Sequence, residues 1–286
     1  MPLSKELKVG INVLSLFDGM SCGQIALGRA GIEVDKYFAS EIDEYAMLVT
    51  KHNYPNTKHI GDITKVKGAD LPKIDLVIGG SPCQGFSFAG KRLNFDDPRS
   101  KLFFEFVRLL EETKPKYFLL ENVKMKKEWV RVITNMLGVE PIEINSSLVS
   151  GQNRPRLYWT TIPNVGQPTE KNIKLIDVLE KLEFYKEPYE EKYTSNRAVN
   201  YKADKFNPLR ANAGSKTRGI GICNDEGWWR KLTPVECERL QTVPDNYTNY
   251  TSNTQRYKML GNGWTVDVIA HIFKNLIDEK LSIISV

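Results

Sequence analysis

Cys83 stands in Gly80-Ser81-Pro82-Cys83-Gln84-Gly85-Phe86-Ser87, a loop framed by proline and glycine. Most lone cysteines are small core hydrophobes. This one lacks the apolar neighbours that such a role needs, so it reads as an exposed thiol held in place. As a thiolate it is a strong nucleophile. Further along, Glu121-Asn122 closes an apolar run. A partly enclosed carboxylate there can share a proton with a ring nitrogen. Gln152-Asn153-Arg154-Pro155-Arg156 sets two guanidinium groups two residues apart, on one side of an extended chain. Near a thiol and a carboxylate, such an arginine can bind a base carbonyl or a phosphate. Away from them it is a solvated surface charge.

A second group of residues suits a ligand rather than a reaction. Phe17-Asp18-Gly19-Met20-Ser21-Cys22-Gly23 follows a short apolar run, and its glycines let backbone approach a ligand closely. Glu41 comes about twenty residues later, where an acidic side chain can accept hydrogen bonds from a ribose. Asp62, in Gly61-Asp62-Ile63, can accept from an adenine amino group. Separately these are an ordinary tight turn, a capping acid and a turn aspartate. Turn and acid together favour an adenosine ligand.

The elements that must position these residues alternate. Ile11–Leu16, Tyr37–Ser40, Ile74–Ile78 and Lys116–Leu120 read as strands. Gln24–Arg29, Asp43–His52, Ser100–Glu112 and Trp129–Leu137 read as helices. Leu102, Phe103, Phe106, Leu109 and Leu110 share one face of the third. Apolar strands separated by amphipathic helices predict a mostly parallel α/β sheet covered on both faces. Such sheets bind ligands at the carboxyl ends of their strands. The unusual residues fall there: Asp18-Gly19, Glu41, Asp62, Pro82-Cys83 and Glu121-Asn122. After about residue 163 prolines break the pattern, and a smaller irregular lobe is expected. Helices return at Thr233–Gln241, with Pro234 at the first helical position, and at Thr265–Leu276.

Composition narrows the classes. The 286 residues are 41% hydrophobic, enough for a packed core. A net charge of +5 is compatible with a polyanionic partner without requiring one. Four cysteines, none in a C-x-x-C pair, and three histidines offer few zinc ligands. They read as reduced thiols, and no metal is expected. The apolar run after the polar start is too short to span a membrane. A soluble intracellular protein is expected.

Taken in order, Pro82-Cys83, Glu121-Asn122-Val123 and Gln152-x-Arg154-x-Arg156 resemble the signatures of the cytosine-5 DNA methyltransferase family. The resemblance continues through Leu232-Thr233-Pro234-x-Glu236-Cys237-x-Arg239-Leu240-Gln241 and Gly261-Asn262-Gly263-Trp264. It covers almost the whole chain and is weakest between about residues 163 and 230. The Phe17–Gly23 turn departs from the family's usual Phe-x-Gly-x-Gly-Gly. It and Trp264 are similar to the animal de novo branch, whereas Gln84-Gly85-Phe86-Ser87 is like bacterial modification enzymes.

The resemblance implies a Rossmann-like, mixed but mostly parallel sheet of the S-adenosylmethionine-dependent methyltransferase fold. It implies a catalytic and cofactor-binding domain at 1–165, a small target-recognition lobe at 166–254, and a returning C-terminal helix at 255–286. Cys83 would attack a flipped cytosine, with Glu121 and Arg156 binding the ring and Arg154 supporting them. S-adenosylmethionine would lie against Phe17, Gly19, Met20, Glu41, Ile42, Asp62, Ile63, Pro82, Leu102, Asn262 and Trp264. Gln84, Ser87, Arg92, Asn122, Gln152 and Arg218 would meet DNA. The partners implied are double-stranded DNA and a cognate restriction endonuclease, in a prokaryotic or phage-encoded cytoplasmic enzyme. Three rivals stand beside this reading. A tRNA cytosine-5 methyltransferase of the same fold usually carries Pro-Pro-Cys, where this chain has Ser81-Pro82-Cys83. A catalytically inactive DNA-binding homologue should have lost Cys83, Glu121 or Arg156. A nicotinamide dehydrogenase should carry G-x-G-x-x-G and gives Cys83 no task.

Overall fold

The computed structural model describes residues 10–81, 98–180, 182–184, 198–211, 221–226 and 228–284. Its centre is a seven-stranded sheet. The strands are β1 (Ile11–Leu16), β2 (Val34–Ser40), β3 (Lys58–His59), β4 (Leu76–Gly79), β5 (Tyr117–Val123), β6 (Ile142–Asn145) and β7 (Pro155–Thr160). Their spatial order is β3-β2-β1-β4-β5-β7-β6. The first five run parallel, and β7 lies antiparallel between β5 and β6. The expected mixed, mostly parallel α/β sheet is therefore present.

Side chains alternate across the sheet, as the pleat dictates. Val13, Leu76, Ile78 and Leu119 enter one core with Ile25, Ala26, Leu27, Ile272 and Phe273. Leu14, Leu16, Val77, Phe118 and Leu120 enter the other, with Phe103, Phe106, Leu109 and Ile133. The first face carries α1 (Cys22–Ala30) and α7 (Val266–Ile284), and the second carries α3 (Pro98–Thr113) and α4 (Lys127–Leu137). Burial on both faces explains why these strands read as continuous apolar runs.

Helix ends follow local chemistry. Asp43 accepts hydrogen bonds from Tyr45 N at 3.0 Å and Ala46 N at 3.3 Å, capping α2 (Glu44–Asn53). Gly31 ends α1 in a left-handed conformation at φ 74°. Thr233 and Glu236 form a reciprocal capping box at α5 (Pro234–Leu240), with proline at the first position as expected. α6 (Asn253–Asn262) follows, a helix that periodicity did not indicate. Three short strands, β8 (Ala198–Asn200), β9 (Gly221–Cys223) and β10 (Trp229–Lys231), form a separate small sheet. That region had been expected to be irregular.

Candidate active site

The turn after β1 is strained in a patterned way. Phe17, Gly19 and Ser21 all adopt left-handed φ, at 58°, 59° and 61°. Non-glycine residues rarely do so, and such strain persists only where surroundings enforce it. Here Glu41 helps to enforce it. Its Oε2 accepts from Gly19 N at 2.7 Å, and its Oε1 accepts from Ile42 N and Asp43 N, both at 2.8 Å. Asp18 accepts from the hydroxyls of Ser21 and Tyr37, the latter at 2.7 Å. Burial pushes the Asp18 carboxyl up to about 6, against the pull of the Ser15, Ser21 and Tyr37 hydroxyls.

Beside this turn, just past the carboxyl end of β2, Ile42 is a large apolar side chain that is 71% exposed. Asp62 caps the short turn Ile63–Lys65 by accepting from Thr64 N at 3.0 Å. That backbone bond holds its carboxyl below the usual range. Phe17 and Leu102 are partly buried against the second core, where Ile63 is buried. Met20 is buried in the first core.

The residues singled out for catalysis in the sequence gather where β4, β5 and β7 meet. Glu121 pairs across the sheet with Tyr158, and Val123 with Arg156. Arg156 is thus the diagonal neighbour of Glu121, within reach of a long side chain. Its Nε lies 2.9 Å from Glu121 Oε1, with both side chains enclosed but still reachable, at 14% and 13% exposed. Asn122 turns toward the other strand, where its amide donates to Ser81 Oγ at 3.1 Å. It thereby fixes the residue from which the Cys83 loop departs. A Cβ on Gly80 would lie 3.0 Å from Trp264 Nε1 and 3.1 Å from Glu121 Oε2. Only glycine lets the indole and the carboxylate approach the end of β4 together.

Arg154 and Gln152 sit behind these groups. Arg154 is 5% exposed and donates to the carbonyls of Leu209 at 2.7 Å and of Gly261 and Gly263 at 3.1 Å. Burial, with Arg156 nearby, pulls its guanidinium down to about 10. Gln152 is fully buried and accepts from Leu209 N at 2.6 Å. Both arginines came from one sequence pattern, yet only Arg156 touches Glu121. Asn262 ends α6, and Trp264 follows it to reach Gly80. Pro82, Cys83, Gln84, Ser87, Arg92 and Arg218 lie outside the described residues. Sequence reasoning passed over Tyr158 and Tyr247. Tyr158 is buried directly opposite Glu121, and burial pushes its hydroxyl well up. Tyr247 donates to Met20 O at 2.7 Å. Neither belongs to a chemical motif, so only the strand register and the tertiary contact reveal them.

The family model for C-5 cytosine-specific DNA methylases matches residues 11–139 and 142–278. The chain belongs to that family. It is a DNA cytosine-5 methyltransferase with the S-adenosylmethionine-dependent methyltransferase fold. The Type II methyltransferase M1.ScrFI of Lactococcus lactis subsp. cremoris is 32% identical to it, over 97% of this chain and 80% of that protein. The Type II methyltransferase M.NlaX of Neisseria lactamica is 30% identical, over 92% of this chain and 95% of that protein. Among solved structures, the methyltransferase EhMeth of Entamoeba histolytica shares the fold with a TM-score of 0.77. It is 18% identical, over 95% of this chain and 99% of that one. Among the described residues no group of three or more potential metal ligands occurs, and no helix is long and apolar enough to cross a membrane.

Proposed function

We propose that this methyltransferase modifies carbon 5 of a cytosine flipped out of double-stranded DNA, through a covalent bond from Cys83 to carbon 6. The observation that carries this reading is the Glu121–Arg156 pair, 2.9 Å apart, standing beside Gly80 where the Cys83 loop leaves the sheet. Carbon 5 of cytosine is a weak nucleophile. Addition of the Cys83 thiolate to carbon 6 pushes electrons toward carbon 5 and ring nitrogen 3. Glu121 gives a proton to nitrogen 3 and so stabilises that charge. Arg156 orients Glu121 and binds the carbonyl at carbon 2. Once carbon 5 carries its new methyl group, its proton leaves, to water on this reading. The electrons left behind expel Cys83 and restore the ring. A stacked base cannot meet these groups, so the base must leave the helix.

The residues present fit S-adenosylmethionine. A carboxylate oxygen has about two acceptor positions. Glu41 Oε1 uses both of its own on backbone, and Oε2 uses one, leaving a place for a ribose hydroxyl. Ile42 and Phe17 offer apolar cover for adenine, and Asp62 a partner for its amino group. Ile63 and Leu102 extend the wall, to which the resemblance also assigns Pro82, with Met20, Asn262 and Trp264 at the methionine end. The bound donor supplies an electrophilic methyl group.

On this reading residues 166–254 recognise the target. Arg92, Arg218, Gln84 and Ser87 contact DNA, while Asn122 and Gln152 act from behind. A cognate restriction endonuclease fits the Type II relatives. The test is methyl transfer from labelled S-adenosylmethionine to duplex DNA and to tRNA, with wild type beside Cys83→Ala. Label as 5-methylcytosine in DNA with wild type alone is the expected result. Label only in tRNA, or undiminished transfer by Cys83→Ala, overturns the reading.

A further inference from the structure

Gln241 follows α5 inside a region otherwise assigned to target recognition. Its side chain is fully buried and fully used. Nε2 donates to Leu260 O at 2.7 Å and to Gly263 O at 3.0 Å. Oε1 accepts from Gln152 Nε2 at 3.1 Å and from Thr265 Oγ1 at 2.9 Å. These bonds exhaust the two donors and two acceptor positions of an amide. They also fix its orientation, because the two carbonyls can only accept.

We infer that Gln241 is a positioning residue for the methyl donor, holding the 260–264 turn between the donor's turn and the catalytic carboxylate. The inference rests on the proposed donor site. Each side of that turn meets a functional element. A Cβ on Gly263 would lie 3.0 Å from the Met20 methyl group and 3.4 Å from Cys22 Sγ. Cys22 Sγ in turn faces Trp264 O at 3.9 Å. The Trp264 indole reaches Gly80 beside Glu121. Gly263 O is shared between Gln241 and Arg154, so Gln241 is one of two groups that set its place. Without its amide, two buried carbonyls lose a donor, and the turn relaxes toward whatever can satisfy them. Displacements well under 1 Å matter where a methyl group must line up for transfer.

The test compares donor and DNA affinities in Gln241→Met, which keeps the volume and removes the amide. Ser150→Ala serves as control. Ser150 is as buried and donates to Leu240 O at 2.5 Å, a carbonyl that Gln152 also meets, so it tests the same buried network through a bond that does not end on the 260–264 turn. In Gln241→Met the Kd and KM for S-adenosylmethionine should rise about tenfold or more, the range set by one or two lost buried hydrogen bonds. DNA Kd should stay within about twofold of wild type, and Ser150→Ala should lose stability without a donor-specific change. Where Gln241→Met does not fold, Gln241→Asn keeps the amide, shortens its reach and meets the same criterion. A folded variant that binds donor as wild type does overturns the inference. So does an equal rise in Ser150→Ala, which makes the effect one of general stability. Wild type that fails to bind S-adenosylmethionine would instead defeat the donor reading beneath it.

Discussion

The sheet half of the molecule and the half that follows Ala198 hold their functional groups by different means. In the sheet half, Glu121 and Arg156 are placed by strand register, and the strands are fixed by apolar side chains packed on both faces. In the other half the small sheet has strands of only three residues. Buried ion pairs and charged groups there join the apolar packing of Phe206, Leu232, Leu240 and Leu260 in the first core. Arg230 donates to Glu236 at 2.6 and 2.8 Å, and Arg256 to Glu238 at 3.1 Å, with both carboxylates fully buried. Lys205 donates to the carbonyls of Ser147, Ser150 and Ile173, at 2.7, 3.1 and 2.6 Å. Apolar packing tolerates small shifts and side-chain exchange. A buried ion pair does not, because losing one partner strands the other in a poor solvent. Loss of a partner in the Glu121–Arg156 pair should therefore cost activity before stability, and loss of a partner in the Arg230 or Arg256 pairs the reverse.

The largest effect should come from Glu121→Gln. The shape and the β5–β7 register survive, but on the proposed mechanism the proton for nitrogen 3 is lost. Single-turnover kinetics should show a fall of about 10²- to 10³-fold, the scale of lost acid catalysis. The melting temperature should move less than for the fully buried pairs, since these side chains keep 14 and 13% exposure and glutamine still offers Arg156 an acceptor. A large loss of stability would break the contrast from the sheet side.

Glu238→Gln tests the other half. Glu238 accepts from Asn246 N at 2.7 Å, Thr248 N at 2.9 Å and Arg256 Nη2 at 3.1 Å, and also from the Thr248 hydroxyl. Removing its charge leaves Arg256 buried beside a neutral amide. Denaturant unfolding should show a loss of about 3 kcal/mol, the scale of a broken buried pair. Activity per folded molecule should stay within severalfold of wild type. Full stability with a catalytic defect would show that the ion pair serves the reaction.

The same contrast explains what could be read in the sequence. β1, β4 and β5 are long enough, and apolar enough, for their pattern to show burial on both faces. Their carboxyl ends then drew attention to Asp18-Gly19, Pro82-Cys83 and Glu121, as the end of β2 did to Glu41. β8, β9 and β10 are too short to show any period, and β7 opens with Pro155 and Arg156, which mask its strand character. The placement of Arg154 depends on Leu209, Gly261 and Gly263, residues far away in the chain. Nothing in the spacing of Arg154 and Arg156 foretells that one faces Glu121 and the other three carbonyls. Gln241 sits in a recognisable motif, but its partners belong to two other segments, at Gln152 and at 260–265.

Asp18 offers the smallest effect and the finest test, because it is a desolvated carboxylate within the sheet half. Unlike Glu236 and Glu238, it is met by the hydroxyls of Ser21 and Tyr37 rather than by an arginine. Burial raises its carboxyl from 3.8 to about 6, with the like charge of Glu41 adding to the rise. A raised acid favours the protonated form in the folded state. Between pH 3.8 and 6 the folded chain therefore holds more proton than the unfolded one, and stability falls as pH rises through that window. Above it the cost is complete and constant, at most about 3 kcal/mol by the usual conversion of a pKa shift. Asp18→Asn keeps the size of the group and removes the charge. Its stability relative to wild type should rise from pH 4 to about pH 6.5 and then level off, as read by denaturant unfolding at several pH values. A difference that stays flat with pH would mean that solvent reaches Asp18. The ligand turn would then be held by Glu41 and its three backbone bonds, with no desolvated charge beneath it. A difference that falls with pH would mean that a cation reaches the carboxylate, and the two halves would share one way of burying charge.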